Sequence, residues 1–171
     1  DILFLMVGKG GQYEHCKALV RALGVEKQVL FPGEVLFHDI PSYVAAADVC
    51  VALFDRSYPP FQKYSFFYSP MKVTEYLAGG KPVIVSGFGN LNTFVADKKN
   101  GLLVNEQHVN EIADAVMTLA KDRTLCMKMG ALNRTEAQKK YRWDTITKDI
   151  IRAVERAFLE KSLGKNTERK Q

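Results

Sequence analysis

Five short apolar runs, each followed by a turn, alternate with amphipathic segments over the first 104 residues. The run at 49–54 (VCVALF) has no polar alternation, which is typical of a strand covered on both faces, and the run at 2–7 (ILFLMV) is also predicted to be a buried strand. The others are 28–33 (QVLFPG), 82–87 (PVIVSG) and 101–104 (GLLV). This alternation predicts an α/β fold, in which helices cover both faces of a parallel sheet.

Beyond about Asn110 the pattern becomes purely helical, with predicted helices at 110–122, 124–141 and 143–161. A length of 171 residues with 47% hydrophobic side chains suits one globular domain. We predict that this domain spans residues 1–160 and that residues 161–171 form a basic, flexible tail. Because the sequence begins at Asp1 and enters a strand at once, we also expect it to be a piece of a longer protein.

The predicted parallel sheet places a ligand beyond the carboxyl ends of its strands. The glycine turn GKGG at 8–11, which begins with Gly8, follows the first strand and belongs to that edge. It begins like a dinucleotide-binding fingerprint, but Tyr13 occupies the position of the third glycine. The turn therefore gives no nucleotide signature by itself.

A helix opened by Ser69 and Pro70 carries the most informative polar residues. Ser69 is a candidate cap, Pro70 a candidate first residue, and Gly79 a candidate left-handed end. The amino end of a helix attracts phosphate, and Lys72 in the first turn is favourable only beside an anion. The alternative is that Lys72 extends into solvent.

Glu75 lies three residues after Lys72, so the two side chains can share a helix face. Its carboxylate could accept hydrogen bonds from ribose hydroxyls, as the acidic residue of dinucleotide folds does. It could equally form a surface ion pair with Lys72. Periodicity leaves both interpretations open.

Residues 55–69 (DRSYPPFQKYSFFYS) contain six aromatic side chains. A loop of this length within a compact domain is usually functional or disordered, and Tyr-rich segments tend to be ordered. The rings could line a sugar site, dock on a membrane surface or a partner domain, or cover the core of the domain itself.

The net charge of +5 suits an anionic ligand, but the basic residues are spread along the chain and form no stripe for nucleic acid. The three cysteines and three histidines share no metal-ligand spacing, which predicts no metal site and a reducing compartment. We also expect no cofactor and a cytoplasmic location. No run is long enough to cross a membrane.

The segment SPMKVTEYLAGGKPVIVS (69–86) closely resembles the donor-binding segment of family 4 retaining glycosyltransferases, which have the GT-B architecture of two Rossmann-like domains. The resemblance extends from about Ile2 to Phe158. It includes the segments LMVGKGGQYEHCKALVRALGVEKQVLFPGEV, IPSYVAAADVCVAL, VSGFGNLNTFVADKKNGLLV and YRWDTITKDII. It implies that the chain is a Rossmann-like, C-terminal, donor-binding domain.

The resemblance also implies roles for individual residues. Glu75 would bond the donor ribose, and Lys72 would stabilise the leaving diphosphate. Further positions would border the nucleotide sugar: Ser69, Pro70 and Met71 at the diphosphate, Val35, Phe37 and Ile40 at the nucleobase, and Gly8, Phe67 and Tyr68 nearby.

Three departures from the family pattern stand out, one of which is Thr93, at the position where the glycine turn usually leads to a glutamate. Phe67 occupies the position of an earlier glutamate found in many members, eight residues before Glu75. The first strand of the domain, which is normally central, is missing from the sequence. We therefore expect either a gap in the sheet or its filling by association or rearrangement.

The function implied is transfer of a sugar from a UDP- or GDP-sugar to an acceptor hydroxyl, with retention and without a metal, in polysaccharide or glycolipid biosynthesis. The implied partners are a sugar or lipid-linked acceptor, the N-terminal GT-B domain and possible peripheral contact with the cytoplasmic membrane face. The chain alone would be inactive. The alternatives are a non-catalytic nucleotide-binding or partner-interaction domain, and a sugar-nucleotide 2-epimerase.

Overall fold

The structure, a computed structural model, describes the backbone of residues 2–168 and the side chains of residues 2–160. The predicted α/β fold with parallel strands is confirmed. The strands are β1 (Phe4–Val7), β2 (Val29–Gly33), β3 (Cys50–Ala52), β4 (Val83–Ser86) and β5 (Gly101–Val104). The helices are α1 (Tyr13–Ala22), α2 (Ile40–Ala46), α3 (Pro59–Tyr64), α4 (Met71–Ala78), α5 (Leu91–Phe94), α6 (Val109–Lys121), α7 (Arg123–Lys140) and α8 (Trp143–Glu168). Two short 3₁₀ helices lie at Glu26–Gln28 and Phe37–Asp39.

The five strands form two separate parallel sheets within the described part of the chain. One pairs β1 with β2, and the other has the order β3-β4-β5. In the larger sheet Cys50 lies opposite Val83, and Ile84 lies opposite Leu102. The strand pairing is thus interrupted between β1 and β3 within the described residues.

The prediction of a buried first strand is wrong. All four residues of β1 are exposed, from 39% for Leu5 to 45% for Phe4. The apolar sequence of β1 is that of a covered strand, but β2 is its only paired neighbour among the described strands. Burial depends on neighbouring elements as well as on the side chains of the strand itself, and these neighbours cannot be read from β1.

The core lies around β4, whose four residues are fully buried. On one face Val83 and Val85 pack against Val73 and Leu77, which form the apolar side of α4. On the other face Ile84 packs against α6 and α7. Helices therefore cover both faces of the larger sheet, as the unbroken apolar run in β4 predicts.

The ends of α4 differ from the predicted ones. Pro70, not Ser69, is the residue before the first helical turn, and no side chain caps it. Its ψ of 77° is outside the helical region, whereas a first helical residue would have helical torsions. Gly79 keeps right-handed torsions, and Gly80 has the positive φ of 70° that closes the helix.

The carboxyl-terminal part contains the three predicted helices. The backbone of α8 continues to Glu168, and residues 169–171 lie outside the described residues. The flexible tail at 161–171 and the domain boundary at residue 160 stay predictions.

Candidate functional site

The candidate site lies where β3 and β4 end and α4 begins. After β3 the chain passes through the aromatic loop, residues 53–70, and enters α4, which packs against both strands and against α7. The parallel pairing of β3 with β4 brings their carboxyl ends to one edge. This is the edge at which open α/β sheets bind their ligands.

Glu75 is half-buried in the second turn of α4. The surface pair with Lys72 is not formed, and the Glu75 carboxylate has neither an ion pair nor a hydrogen bond with any described residue. Its neighbour Tyr76 packs toward the core, and burial raises the pKa of the Tyr76 hydroxyl, as do the charges of Cys50 and Glu75. The Glu75 carboxylate is thus left available to an external hydrogen-bond donor.

Lys72 is exposed in the first turn of α4 and is not simply extended into solvent. Its Nζ atom lies over the ring of Phe54, 4.9 Å from the ring centroid. No described carboxylate lies within 4.0 Å of it. The ammonium charge is therefore not neutralised by a neighbouring side chain.

The backbone at the start of α4 offers fewer free donors than an ideal helix end. The N–H of Met71 donates to the Ser69 carbonyl oxygen at 2.9 Å, and that of Val73 donates to the Pro70 carbonyl oxygen at 2.8 Å. The Lys72 N–H has no acceptor within the described part of the chain. Lys72 thus presents both its side chain and its N–H, next to the exposed Ser69 and Met71, whereas Pro70 is buried.

The inner part of the aromatic loop covers the core of the domain. Phe66 is buried and meets the ring of Phe54 edge-on, with ring centroids 4.6 Å apart. Phe61 and Phe88 pack against the same cluster. Residues 59–64 form the helix α3, which was not predicted within the loop, and its Pro59–Pro60 start suits the first turn of a helix.

The outer part of the loop leaves four rings about half exposed. They are Tyr58, Tyr64, Phe67 and Tyr68. Phe67 and Tyr68 lie in contact, with ring centroids 4.2 Å apart, and Asn90 Nδ2 donates to the Tyr68 carbonyl oxygen at 3.3 Å. The loop is therefore both a cover over the core and an exposed aromatic surface two residues before α4.

The remaining predicted site residues lie at the carboxyl edge of the smaller sheet. Gly8 directly follows β1 and has a φ of 116°, and its N–H donates to the Gly33 carbonyl oxygen at 2.8 Å. A side chain at Gly8 would meet nothing within 4 Å, so the space in front of this turn is open. Beyond β2, Val35 is half-buried and Phe37 is 77% exposed, whereas Ile40 packs against the core cluster that contains α4.

An ion pair that the sequence did not indicate anchors the start of the aromatic loop. Arg56 binds the Glu106 carboxylate in a bidentate manner, with Nε 2.6 Å from Oε1 and Nη2 3.1 Å from Oε2. The Arg56 N–H also donates to Oε1, and the guanidinium lies over the Phe88 ring. The two residues are 50 positions apart, and no local pattern relates them.

This pair predicts a stability that depends on pH. Burial raises the pKa of Glu106, whose side chain is 6% exposed, but hydrogen bonds from Arg56 and the backbone outweigh it and hold the pKa below its ordinary range. The ionised pair therefore contributes fully above about pH 4.3 and is lost as the pH falls through the lower folded-state value. Glu106→Gln should lower the free energy of unfolding by about 2 kcal/mol at neutral pH. The free energy of unfolding should then fall less steeply as the pH is lowered.

Chemical denaturation of the full-length protein across this pH range measures the effect. The matched control is Glu136→Gln, because Glu136 forms an exposed pair with Lys140 on α7. We expect the control to follow the parent closely. If the free energy of unfolding of Glu106→Gln falls as steeply at acidic pH as that of the parent, the ion pair is not the cause of this pH dependence.

Neither a metal site nor a membrane-spanning helix was found in the described residues. No group of three or more His, Cys, Asp or Glu side chains in them could hold a metal ion. None of the helices there is long and apolar enough to cross a bilayer.

Comparison with known proteins gives both a family and a fold. The family described as glycosyl transferases group 1 matches residues 1–122. A GDP-mannose-dependent alpha-(1-6)-phosphatidylinositol monomannoside mannosyltransferase of Mycobacterium tuberculosis is 32% identical over 142 residues. The match covers 83% of this chain and 36% of the mannosyltransferase. The chain thus spans about a third of the length of this relative.

Two solved structures share the fold. A sucrose-phosphate synthase from Thermosynechococcus elongatus superimposes with a TM-score of 0.75 and 24% identity, over 91% of this chain and 38% of the synthase chain. Anabaena HepE in complex with UDP-glucose superimposes with a TM-score of 0.72 and 24% identity, over 90% of this chain and 40% of the HepE chain.

Proposed function

Because this chain belongs to the glycosyl transferases group 1 family, we propose that it is the donor-binding domain of a glycosyltransferase. The proposed reaction transfers a hexose from a nucleotide diphosphate sugar to an acceptor hydroxyl, with retention and without a metal ion. The mycobacterial relative is more than twice as long as this chain. We therefore assign the acceptor site and further catalytic groups to a second domain, and expect no turnover from this chain alone.

The observation that carries the proposal is the free carboxylate of Glu75. Glu75 is half-buried, and its carboxylate has no hydrogen-bond or ion-pair partner in the described residues. Two adjacent ribose hydroxyls would supply two donors at once. This supports the assignment of Glu75 to the donor ribose.

Lys72 is the proposed electrostatic partner of the diphosphate. It lies one turn before Glu75 on the same helix, the distance at which side chains are neighbours. Its ammonium and its backbone N–H are both available, and Ser69, Pro70 and Met71 border them. A fixed positive charge at the departing diphosphate stabilises the charge that develops in the transition state.

The nucleobase and the sugar are assigned to opposite sides of this centre. The nucleobase would lie near Val35, Phe37 and Ile40, with its phosphates beside the open turn at Gly8. The sugar would approach the exposed rings that include Phe67 and Tyr68. Aromatic faces stack on the C–H faces of sugars, so Phe67 would replace a polar contact by an apolar one.

The donor is proposed to be a UDP- or GDP-sugar. The mycobacterial relative is named for its dependence on GDP-mannose, and HepE is solved with UDP-glucose. The first of these acts on a phosphatidylinositol mannoside. We propose a role in glycolipid or polysaccharide biosynthesis, at a cytoplasmic location that includes the membrane face.

Calorimetric titration of UDP and GDP into the full-length protein tests the proposal. We expect one of the two nucleotides to bind. In a competition assay, the nucleotide that binds should inhibit turnover of the corresponding sugar nucleotide. Binding of neither would contradict the proposal and favour a partner-interaction domain. Epimerisation of the sugar nucleotide without an acceptor would instead favour a 2-epimerase.

A further inference from the structure

Phe54 lies two residues after the end of β3 and reaches the first turn of α4. Its ring centroid lies 4.9 Å from Lys72 Nζ, within the distance at which an ammonium is attracted to an aromatic face. The family resemblance assigns no role to this position. The contact links the end of a core strand to the cation at the candidate site.

The backbone and ring of Phe54 are held from two sides. Its N–H donates to Ser86 Oγ at 2.8 Å, and the Ser86 hydroxyl donates to its carbonyl oxygen at 3.1 Å. Ser86 ends β4 and is fully buried. The edge of Phe66 packs against the Phe54 ring. Phe54 is therefore a rigid support for a side chain that is otherwise exposed.

We propose that Phe54 is a positioning residue, which holds the Lys72 ammonium in place for the diphosphate of the donor. This inference rests on the proposed function of the site. A free lysine loses much rotameric freedom when it is immobilised on a ligand. A lysine that already rests on a ring loses less on binding, and this preorganisation increases affinity.

The chemistry of the support matters as much as its position. A carboxylate at the same place would hold the ammonium but would neutralise it and repel a phosphate. The face of a phenylalanine ring attracts the cation through its quadrupole and leaves the full positive charge available. Within the described residues, no carboxylate competes for Lys72. The arrangement thus suits a cation that must meet an anion.

The test is a double-mutant cycle in the full-length protein, measured as the affinity for the nucleoside diphosphate that the parent prefers, UDP or GDP. Phe54→Leu should weaken binding about fivefold, the effect of losing one cation–π contact. In a Lys72→Met background, the same substitution should have almost no effect. Phe54→Tyr keeps the ring and should bind like the parent, which also keeps the test valid if the leucine variant folds poorly.

The matched control is Phe94→Leu, because Phe94 packs against the same core cluster but stacks on Tyr141. It should leave nucleotide affinity unchanged. An equal loss from Phe54→Leu in the parent and in the Lys72→Met background would assign Phe54 a structural role and overturn the inference. Parent-like binding by Phe54→Leu would overturn it too, whereas a parent that binds neither nucleotide overturns the proposed function, and this inference with it.

Discussion

Replacing Glu75 by alanine is expected to weaken binding of the preferred nucleoside diphosphate about 100-fold. Glu75 is half-buried and its carboxylate has no partner among the described residues, so no internal hydrogen bond or ion pair is lost with it. The loss therefore reflects two charge-assisted hydrogen bonds to the ribose. Calorimetry on the full-length protein, with the folded state checked by circular dichroism, measures the change.

The deoxynucleotide provides the sharper control for this prediction. The parent should bind the 2′-deoxy form of the diphosphate more weakly than the ribo form, since one hydroxyl donor is absent. Glu75→Ala should bind the two forms alike. Glu136→Ala, which removes an exposed carboxylate from α7, should retain the discrimination of the parent. If Glu75→Ala still distinguishes the two sugars, another group contacts the ribose.

Local sequence patterns predicted the positions of the strands and helices better than the burial and the end structure of these elements. The apolar runs located all five strands, and the purely helical pattern beyond Asn110 located α6, α7 and α8. Burial of β1 was wrongly predicted because it requires neighbours on both sides of the strand. The cap at Ser69 was wrongly predicted because the torsions of Pro70 place the helix start one residue later.

At the candidate site, the sequence related residues within one helix but not across elements. The three-residue spacing of Lys72 and Glu75 correctly placed them on one helix, yet it could not decide whether they pair. The support from Phe54 and the pair between Arg56 and Glu106 join different elements of the fold. Such contacts depend on tertiary packing, which no local periodicity encodes.

The contact between α7 and the turn after α4 also joins elements that are distant in the sequence. Gly130 is buried in α7, and a Cβ atom there would collide with the carbonyl oxygen of Gly80. Gly80 has a φ of 70°, and the side chain of Arg134 lies close to it. The glycine in α7 therefore lets that helix approach the end of the helix that carries Glu75.

Gly130→Ala is expected to destabilise the domain by about 3 kcal/mol and to lower its unfolding temperature by about 10 °C. This is the opposite of the usual effect, since alanine in place of glycine inside a helix normally stabilises by about 1 kcal/mol. Scanning calorimetry of the full-length protein measures it, with Ala131→Gly at the adjacent exposed position as control, for which helix propensity alone predicts a loss of about 1 kcal/mol. The backbone oxygen of Gly80 cannot rotate away as a side chain could, so relief requires that α7 and α4 move apart. An unfolding temperature at or above that of the parent would show that the two helices do not meet at Gly130.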